Sequence, residues 1–564
     1  MIKHLRAGGV ASLTLALLLP AIAASGTAAT TSETARGIVY NDLNGNNRRD
    51  ANEPGIANVA VSNGHDVVAT DKDGAYSLSV DDETIIFISK PSDYMVPVND
   101  VQLPQFYYRH YPKGTPQALK YGGIAPTGPL PKSIDFALVA DKSKPGKGNG
   151  GRKEFDAIFF ADPQTKNSKE VGDLRQDVIS ELKGTDALFG LTVGDVVNDP
   201  LDLFPEHNAA VAEVGIPWWN LPGNHDMDYD ALTDEHSMDT FKSVYGPTDY
   251  SFNYGDVHFV AMDNIEHLGP NKGYRGLLTD AQLAWLEADL AQVSPDKLVV
   301  LATHIPLKTN ATTSAGVNTA NLPGLFEVLG DRKKIYSVSG HDTSNSWQMY
   351  LGPEDGWKGI SSFHHQVLAE VRGGGWGSGP LDARGVRAAD MADGNPNGYY
   401  HLNFSGTKYT PRYKAASLPA DFQMRLSFSG GEGKATHVPT GPSGSAGFTT
   451  PVRYQPADWT APQVPTLTAN VFDGGERHRV EVSVDGGRFA AMTQSAPMND
   501  PYISLLRATN VGAERPVRPE ASSHLWTAPL PAKLEAGTHT VSVRSTDPYG
   551  QVSHSTTTFE VAAN

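Results

Sequence analysis

The residues with the greatest chemical capacity in this sequence stand directly after short apolar runs. Phe155 to Phe160 leads into Asp162-Pro163-Gln164, Ala187 to Val193 into Gly194-Asp195, and Ile216 to Leu221 into Gly223-Asn224-His225-Asp226. Leu298 to Ala302 leads into Thr303-His304, and Ile335 to Val338 into Gly340-His341. Carboxylate, amide oxygen and imidazole together suit borderline divalent metals such as Mn, Fe or Zn. A carboxylate shared by two such ions holds them about 3.5–4 Å apart, the spacing that clamps the attacking and leaving oxygens of phosphoryl transfer.

Apolar runs of this length followed by a polar turn predict strands with loops at their carboxyl ends. In open α/β sheets the crevice outside those ends is where ligands bind. Five strands would bring Asp162, Gln164, Asp195, Asn224, His225, His304 and His341 to one rim. A helix is expected between the fourth and third runs: Thr279 and Gln282 have capping-box spacing, and Leu283, Leu286 and Leu290 share a face with Trp285 beside it.

A chain of 564 residues exceeds one hydrophobic core. Composition shifts divide it into a leader at 1–24, an N-terminal β-sandwich at 33–139 and a polar Gly-rich linker at 140–152. A central α/β domain at 153–352 and a C-terminal β-rich domain at 353–564 follow. In the last, Val480, Val482 and Val484 alternate with polar residues, and Val541-Ser542-Val543 repeats the alternation, as in a small antiparallel sandwich. The leader joins Lys3 and Arg6 to the apolar Val10 to Ala24, with Ala21-Ile22-Ala23 as a cleavage site, which implies a periplasmic or secreted protein. No later stretch is long and apolar enough to span a bilayer. The absence of Cys excludes disulfides, zinc-thiolate sites and thiol catalysis. A net charge of -17 disfavours nucleic-acid polymers as partners.

Asp42, Asn44, Asn46, Asp50 and Glu53 fall at positions 1, 3, 5, 9 and 12 of an EF-hand-like count, with Asn47 where Gly is usual. The stretch resembles the calcium-binding B-type repeats of bacterial surface proteins. It is either a structural calcium loop or an Asn/Asp-rich turn that needs no ion.

In their order, Asp162-Pro163-Gln164, Gly194-Asp195, Gly223-Asn224-His225-Asp226, His304 and Gly340-His341 resemble the signature of the calcineurin-like metallophosphoesterases. Tyr250-Ser251-Phe252-Asn253, Asp393-Gly394-Asn395-Pro396-Asn397-Gly398-Tyr399 and Gly486-Gly487 extend the likeness to exported bacterial members with N- and C-terminal β-domains. The resemblance implies a central two-sheet α/β metallophosphoesterase sandwich flanked by β-rich domains. It implies that Asp195 bridges two divalent metals, that Asn224, His304 and His341 complete one site, and that Asp162 and Gln164 serve the other. A hydroxide between the metals would attack phosphorus, with His225 contacting phosphate or protonating the leaving group and Asp226 orienting His225.

Two departures weaken the second site. Thr343 stands where the family's second His of GHxH would be, and Gln164 replaces the commoner His. Thr343 could ligate weakly, Asp342 could swing in, or His364 and His365 could reach the rim if they are not ordinary strand histidines. Trp376, in Arg372-Gly-Gly-Gly-Trp-Gly-Ser-Gly379, either shapes a substrate entrance or packs in a turn. Asp173, Asp177, Asp199, Asp202 and Asp228 read as solvated charges. The expected function is an exported, monomeric, metal-dependent hydrolase of small phosphate mono- or diesters. A nucleotide or pyrophosphate hydrolase is one alternative, and a catalytically silent surface- or carbohydrate-binding protein is the other.

Overall fold

Leu298, Val299, Val300 and Leu301 are all buried, because their strand is covered on both faces. Strands of this kind dominate the centre of the chain. The computed structural model describes residues 33–141, 153–310, 314, 316–430, 452–460, 464–509 and 516–563. The leader read at 1–24 and the linker beyond Asp141 lie outside the described residues. Among the described residues no helix is long and apolar enough to cross a membrane.

In chain order the central strands are β1 (Glu154–Phe160), β2 (Phe189–Val193), β3 (Trp218–Leu221), β4 (Tyr250–Tyr254), β5 (Val257–Met262) and β6 (Leu298–Thr303). They continue as β7 (Ile335–Ser339), β8 (Trp347–Leu351), β9 (Phe363–Val367), β10 (Gly398–Ser405) and β11 (Lys408–Ala415). They form a five-stranded sheet in the order β3-β2-β1-β10-β11 and a six-stranded sheet in the order β4-β5-β6-β7-β9-β8. Within them β1, β2 and β3 run parallel, as do β5, β6, β7 and β9. Within each sheet their carboxyl ends therefore point the same way, as a common rim requires. One core serves both sheets: Phe189 stacks on Tyr254 at 4.5 Å, and Trp219 lies over Phe252 at 4.2 Å with the rings nearly parallel. The helix Asp280–Leu290 begins at Thr279, whose side chain accepts from Gln282 N while Gln282 Oε1 accepts from Thr279 N.

The boundary expected at 352 does not hold for these sheets. Strands β9, β10 and β11 all come from beyond it. β10 runs antiparallel to β1 and stacks Phe404 on Phe155 at 4.9 Å, closing an otherwise parallel sheet. The Gly-rich segment before β10 hides this return in the sequence.

N-terminal strands form two four-stranded sheets, and C-terminal strands pack a separate core around Leu467, Trp526, Val543 and Phe559. The N-terminal part docks on the edge strand β4. Asn253 N donates to Lys90 O (2.8 Å), Lys90 Nζ to Asn253 O (2.6 Å), and Trp285 Nε1 to Ser62 Oγ (3.1 Å). This covers a sheet edge and gives Tyr250-Ser251-Phe252-Asn253 a structural task. In the Asp42 loop every carboxylate is engaged. Asp42 accepts from Gly45 N and Asn47 N, Glu53 from Leu43 N and Asp50 N, and Asp50 from the amides of Asn44 and Asn46.

Candidate metal centre

All five strand ends deliver their residues to one place. Asp195, His304 and His341 each offer a ligand atom, and these atoms lie within 4.8 Å of one another. His304 Nε2 is 3.2 Å from Asp195 Oδ1, 3.1 Å from Asn224 Oδ1 and 3.2 Å from His341 Nδ1. Metal–ligand bonds of about 2.0–2.2 Å place neighbouring donors roughly 3.0–3.5 Å apart, so these spacings fit donors gathered around one ion.

The tautomers point the same way. His304 Nδ1 faces Val193 O at 2.9 Å, and His341 Nε2 faces Gly316 O at 2.7 Å. A carbonyl can only accept, so both of those nitrogens carry the proton. The lone pairs of His304 Nε2 and His341 Nδ1 then face each other, an arrangement that needs a proton or a cation between them. This is the outer-partner pattern of metal-ligating histidines, and the donor set fits a divalent ion.

Electrostatics report the same demand. Burial works against charge on Asp195 and His304, yet their mutual attraction holds Asp195 well below the carboxylate range and lifts His304 to about 10. Burial and the charge on His304 push His341 down to about 4. Burial lifts Asp162 to about 7, with His304 opposing the rise and Asp195 adding to it.

Glycines and backbone set this geometry. A Cβ on Gly223 would stand 2.1 Å from Asp195 Oδ1, and one on Gly340 2.2 Å from Asp162 Oδ2. Asp162, Gln164, Asp195 and His341 adopt left-handed conformations, with φ of 48°, 40°, 52° and 70°. Such outliers cluster where side chains are held in functional arrangements.

The second half of the rim is poorer. Asp162 Oδ2 accepts from His341 N (2.9 Å), and Gln164 Nε2 lies between Asp195 Oδ2 and Asp162 Oδ1. Gln164 Oε1 accepts from Asn198 Nδ2 at 3.0 Å. None of the suggested replacements for the missing imidazole arrives. Thr343 is exposed, and Asp342 accepts from Trp347 Nε1 (2.7 Å) and from the main chain of its own turn. His364 and His365 are ordinary residues of β9. His364 contacts Gln348 and Tyr409, and His365 contacts Ser337 while accepting from Leu307 N.

Asp226 is also reassigned. Its buried carboxylate accepts from Gly223 N (2.8 Å), Val196 N (3.0 Å) and Val197 N (3.1 Å), bracing the loop after β2. The carboxylate on His225 is Asp199, 2.7 Å from Nδ1. Burial would depress His225, but this hydrogen bond and the charge on Asp195 raise it above its ordinary value. Asp173, Asp177 and Asp228 are buried, not solvated: Asp177 pairs with Arg384 and Asn397, and Asp228 accepts from Thr240. Trp376 is buried beside the rim, its Nε1 donating to Pro163 O (3.0 Å). The residue missed outright is Arg372. Its guanidinium lies close enough to oppose the rise of Asp162, but it sits in a Gly-rich run that carries no chemical signature.

Three family models match the chain. They describe the calcineurin-like phosphoesterase at residues 157–345, its N terminal at 43–122 and its C terminal at 371–552. No curated protein matches it. Similar solved structures include a dimetal phosphatase from Danio rerio, 12 % identical over 46 % of this chain and 96 % of that one, with a TM-score of 0.33. Another is a purple acid phosphatase from yellow lupin (Lupinus luteus) seeds, 12 % identical over 68 % of this chain and 67 % of that one, with a TM-score of 0.34. The ordered strand-end motifs, the cation-demanding histidine pair and the three consecutive family matches identify this chain as a member of the calcineurin-like phosphoesterases, a hydrolase of phosphoric esters.

Proposed function

We propose that the chain is an exported hydrolase of small phosphate mono- or diesters that works with two divalent cations of unequal affinity. The facing lone pairs of His304 and His341, 3.2 Å apart, carry this reading. Asp195, Asn224, His304 and His341 would hold one ion; Asp162 and Asp195 would hold the other, joined by Gln164 once its Oε1, which accepts from Asn198 Nδ2, turns toward them. We read the two central sheets, joined by one core, as the layers of a sandwich with this rim at one end.

Bound cations would polarise the phosphoryl group and lower the pKa of the attacking water. His225, held by Asp199 with its imidazole 30 % exposed, donates a proton to a phosphoryl oxygen or to the departing ester oxygen. Asp226 keeps the loops carrying Asp195 and Asn224 in register. Export rests on the charged and apolar leader. The Asp42 to Glu53 loop is assigned as a hard-cation site that stabilises the N-terminal part. Isothermal titration of the full chain with calcium, compared with Glu53→Gln, tests that assignment, and equal heats would reject it.

The decisive experiment adds Mn, Fe, Zn and Ca separately to chelator-stripped protein and follows p-nitrophenol release from mono- and bis-p-nitrophenyl phosphate. Hydrolysis restored by a transition metal is expected. Release of phosphate from nucleotides or pyrophosphate alone would redirect the substrate class. Silence under every metal would favour the surface-binding alternative.

A further inference from the structure

Arg372 is built into the rim from beneath. Val371 N donates to Ala161 O at 2.8 Å, which fixes the Arg372 backbone beside Asp162. Asn397 Nδ2 donates to Val371 O from the other side. The Arg372 Nε donates to Glu370 Oε2 at 3.0 Å, and Glu370 is wholly buried. Among the described residues nothing accepts from Nη1 or Nη2.

The side chain is 20 % exposed. It borders a cavity of about 210 Å³ lined also by Gln164, Lys166, Asn198, Trp376 and Ser378. Ser378 Oγ is buried there without a hydrogen-bond partner among the described residues. Gln164, which stands on the rim, and Asn198, which donates to it, line the same cavity as Arg372, so that cavity adjoins the rim.

The guanidinium is half-buried, held at Nε by Glu370, and opens on this cavity, so its remaining donors are available to an anion that enters it. Its planar fork matches two oxygens of a phosphate, where an ammonium offers only a point charge. Lys166 does not compete for this place, because Glu170 pairs with it at 3.0 Å. We propose that Arg372 binds the phosphoryl group itself, its Nη1 and Nη2 donating to two non-bridging oxygens. It thereby supplies fixed positive charge on the Asp162 and Gln164 side of the rim, where imidazoles are missing. Glu370 is its positioning residue. The inference rests on the phosphoesterase reading and deepens it by naming the group that binds the phosphoryl oxygens, which both mono- and diesters present in pairs.

The test uses metal-loaded full-length protein titrated with inorganic phosphate, alongside turnover of p-nitrophenyl phosphate. Arg372→Ala should weaken phosphate binding about 10- to 100-fold, with metal content unchanged. Arg372→Lys should recover part of the affinity, and added guanidinium should partly rescue turnover by Arg372→Ala. Glu370→Gln should weaken phosphate less than Arg372→Ala. Phosphate affinity within two-fold of wild type in both Arg372 variants would overturn the proposal. So would metal loss in both, which would make Arg372 a mere counter-ion of Asp162. Should wild type bind phosphate through Arg372 yet hydrolyse no ester, the phosphoesterase reading fails while the phosphate contact stands.

Discussion

His225 Nδ1 lies 2.7 Å from Asp199 Oδ1, whereas the carboxylate of its chain neighbour Asp226 turns away to accept three main-chain N–H groups. Two acidic residues near one histidine thus have separate tasks, one orienting a proton donor and the other fixing a loop.

Substitution should separate them. His225→Ala should lower turnover about 10²–10⁴-fold for esters with poor leaving groups, and less for very acidic ones that need no proton. Asp199→Asn should lower it about 10-fold. Both should keep their metal by elemental analysis. Asp226→Ala leaves buried donors without an acceptor, so a lower melting temperature together with metal loss is expected. Normal metal content and stability in Asp226→Ala would contradict its bracing role.

Metal loading should be stepwise. The His304 and His341 site keeps two imidazoles, while the other offers carboxylates and a neutral amide, so dialysis against chelator should leave about one tightly held equivalent. Activity should then rise with excess Mn or Mg. Asp195→Asn should abolish both equivalents, a larger effect than the about 10–100-fold loss of affinity that removing an outer partner causes. Two equivalents surviving dialysis would show the second site to be complete as it stands.

Gly340→Ala tests how closely the second site is built. The new Cβ would fall 2.2 Å from Asp162 Oδ2. The carboxylate must move, and it is the one that accepts from His341 N. The weaker equivalent should be lost first while the melting temperature changes little. Unaltered metal titration in this variant would mean that Asp162 does not ligate.

Lys90 should make stability depend on pH. Burial lowers its ammonium from 10.5 to about 7, so between those values the folded protein binds fewer protons than the unfolded chain. Its contribution to stability therefore rises with pH across that window, by up to about 1.4 kcal/mol per pH unit. Below about pH 7 the buried charge is a full penalty. Lys90→Met removes the slope and also loses the contact with Asn253 O, a loss independent of pH. Its melting temperature relative to wild type should fall steadily from pH 7 to pH 10. A constant difference would show that Lys90 keeps its ordinary pKa.

Much of the rim was legible because each ligand directly follows a run of apolar residues, and strand ends in a parallel sheet converge by topology alone. Asp195, His304 and His341 meet where that rule puts them. What the sequence concealed was direction. Adjacency paired His225 with Asp226, but a residue and its neighbour on a tight turn face different ways. The histidine pair His364-His365 looked like a reserve of ligands, yet a strand sends alternate side chains to opposite faces and both are spent on β9's own neighbours. Arg372 was invisible for another reason. Its place beside Asp162 depends on Val371 pairing with Ala161, a contact across more than two hundred residues that no local pattern encodes.

Asp162, Gln164, Asp195 and His341 hold backbone conformations that cost about 1–3 kcal/mol each for non-glycine residues. Strand ends and close-packed glycines impose them, so the chain meets that cost on folding, with or without an ion. Loading then trades the proton on His304 for a cation and requires no refolding. For such nitrogen and oxygen donors, raw affinity follows the metal series and supply decides the rest. The ion that enters this preformed cage is accordingly set by the metals that surround the folded chain, not by the act of folding.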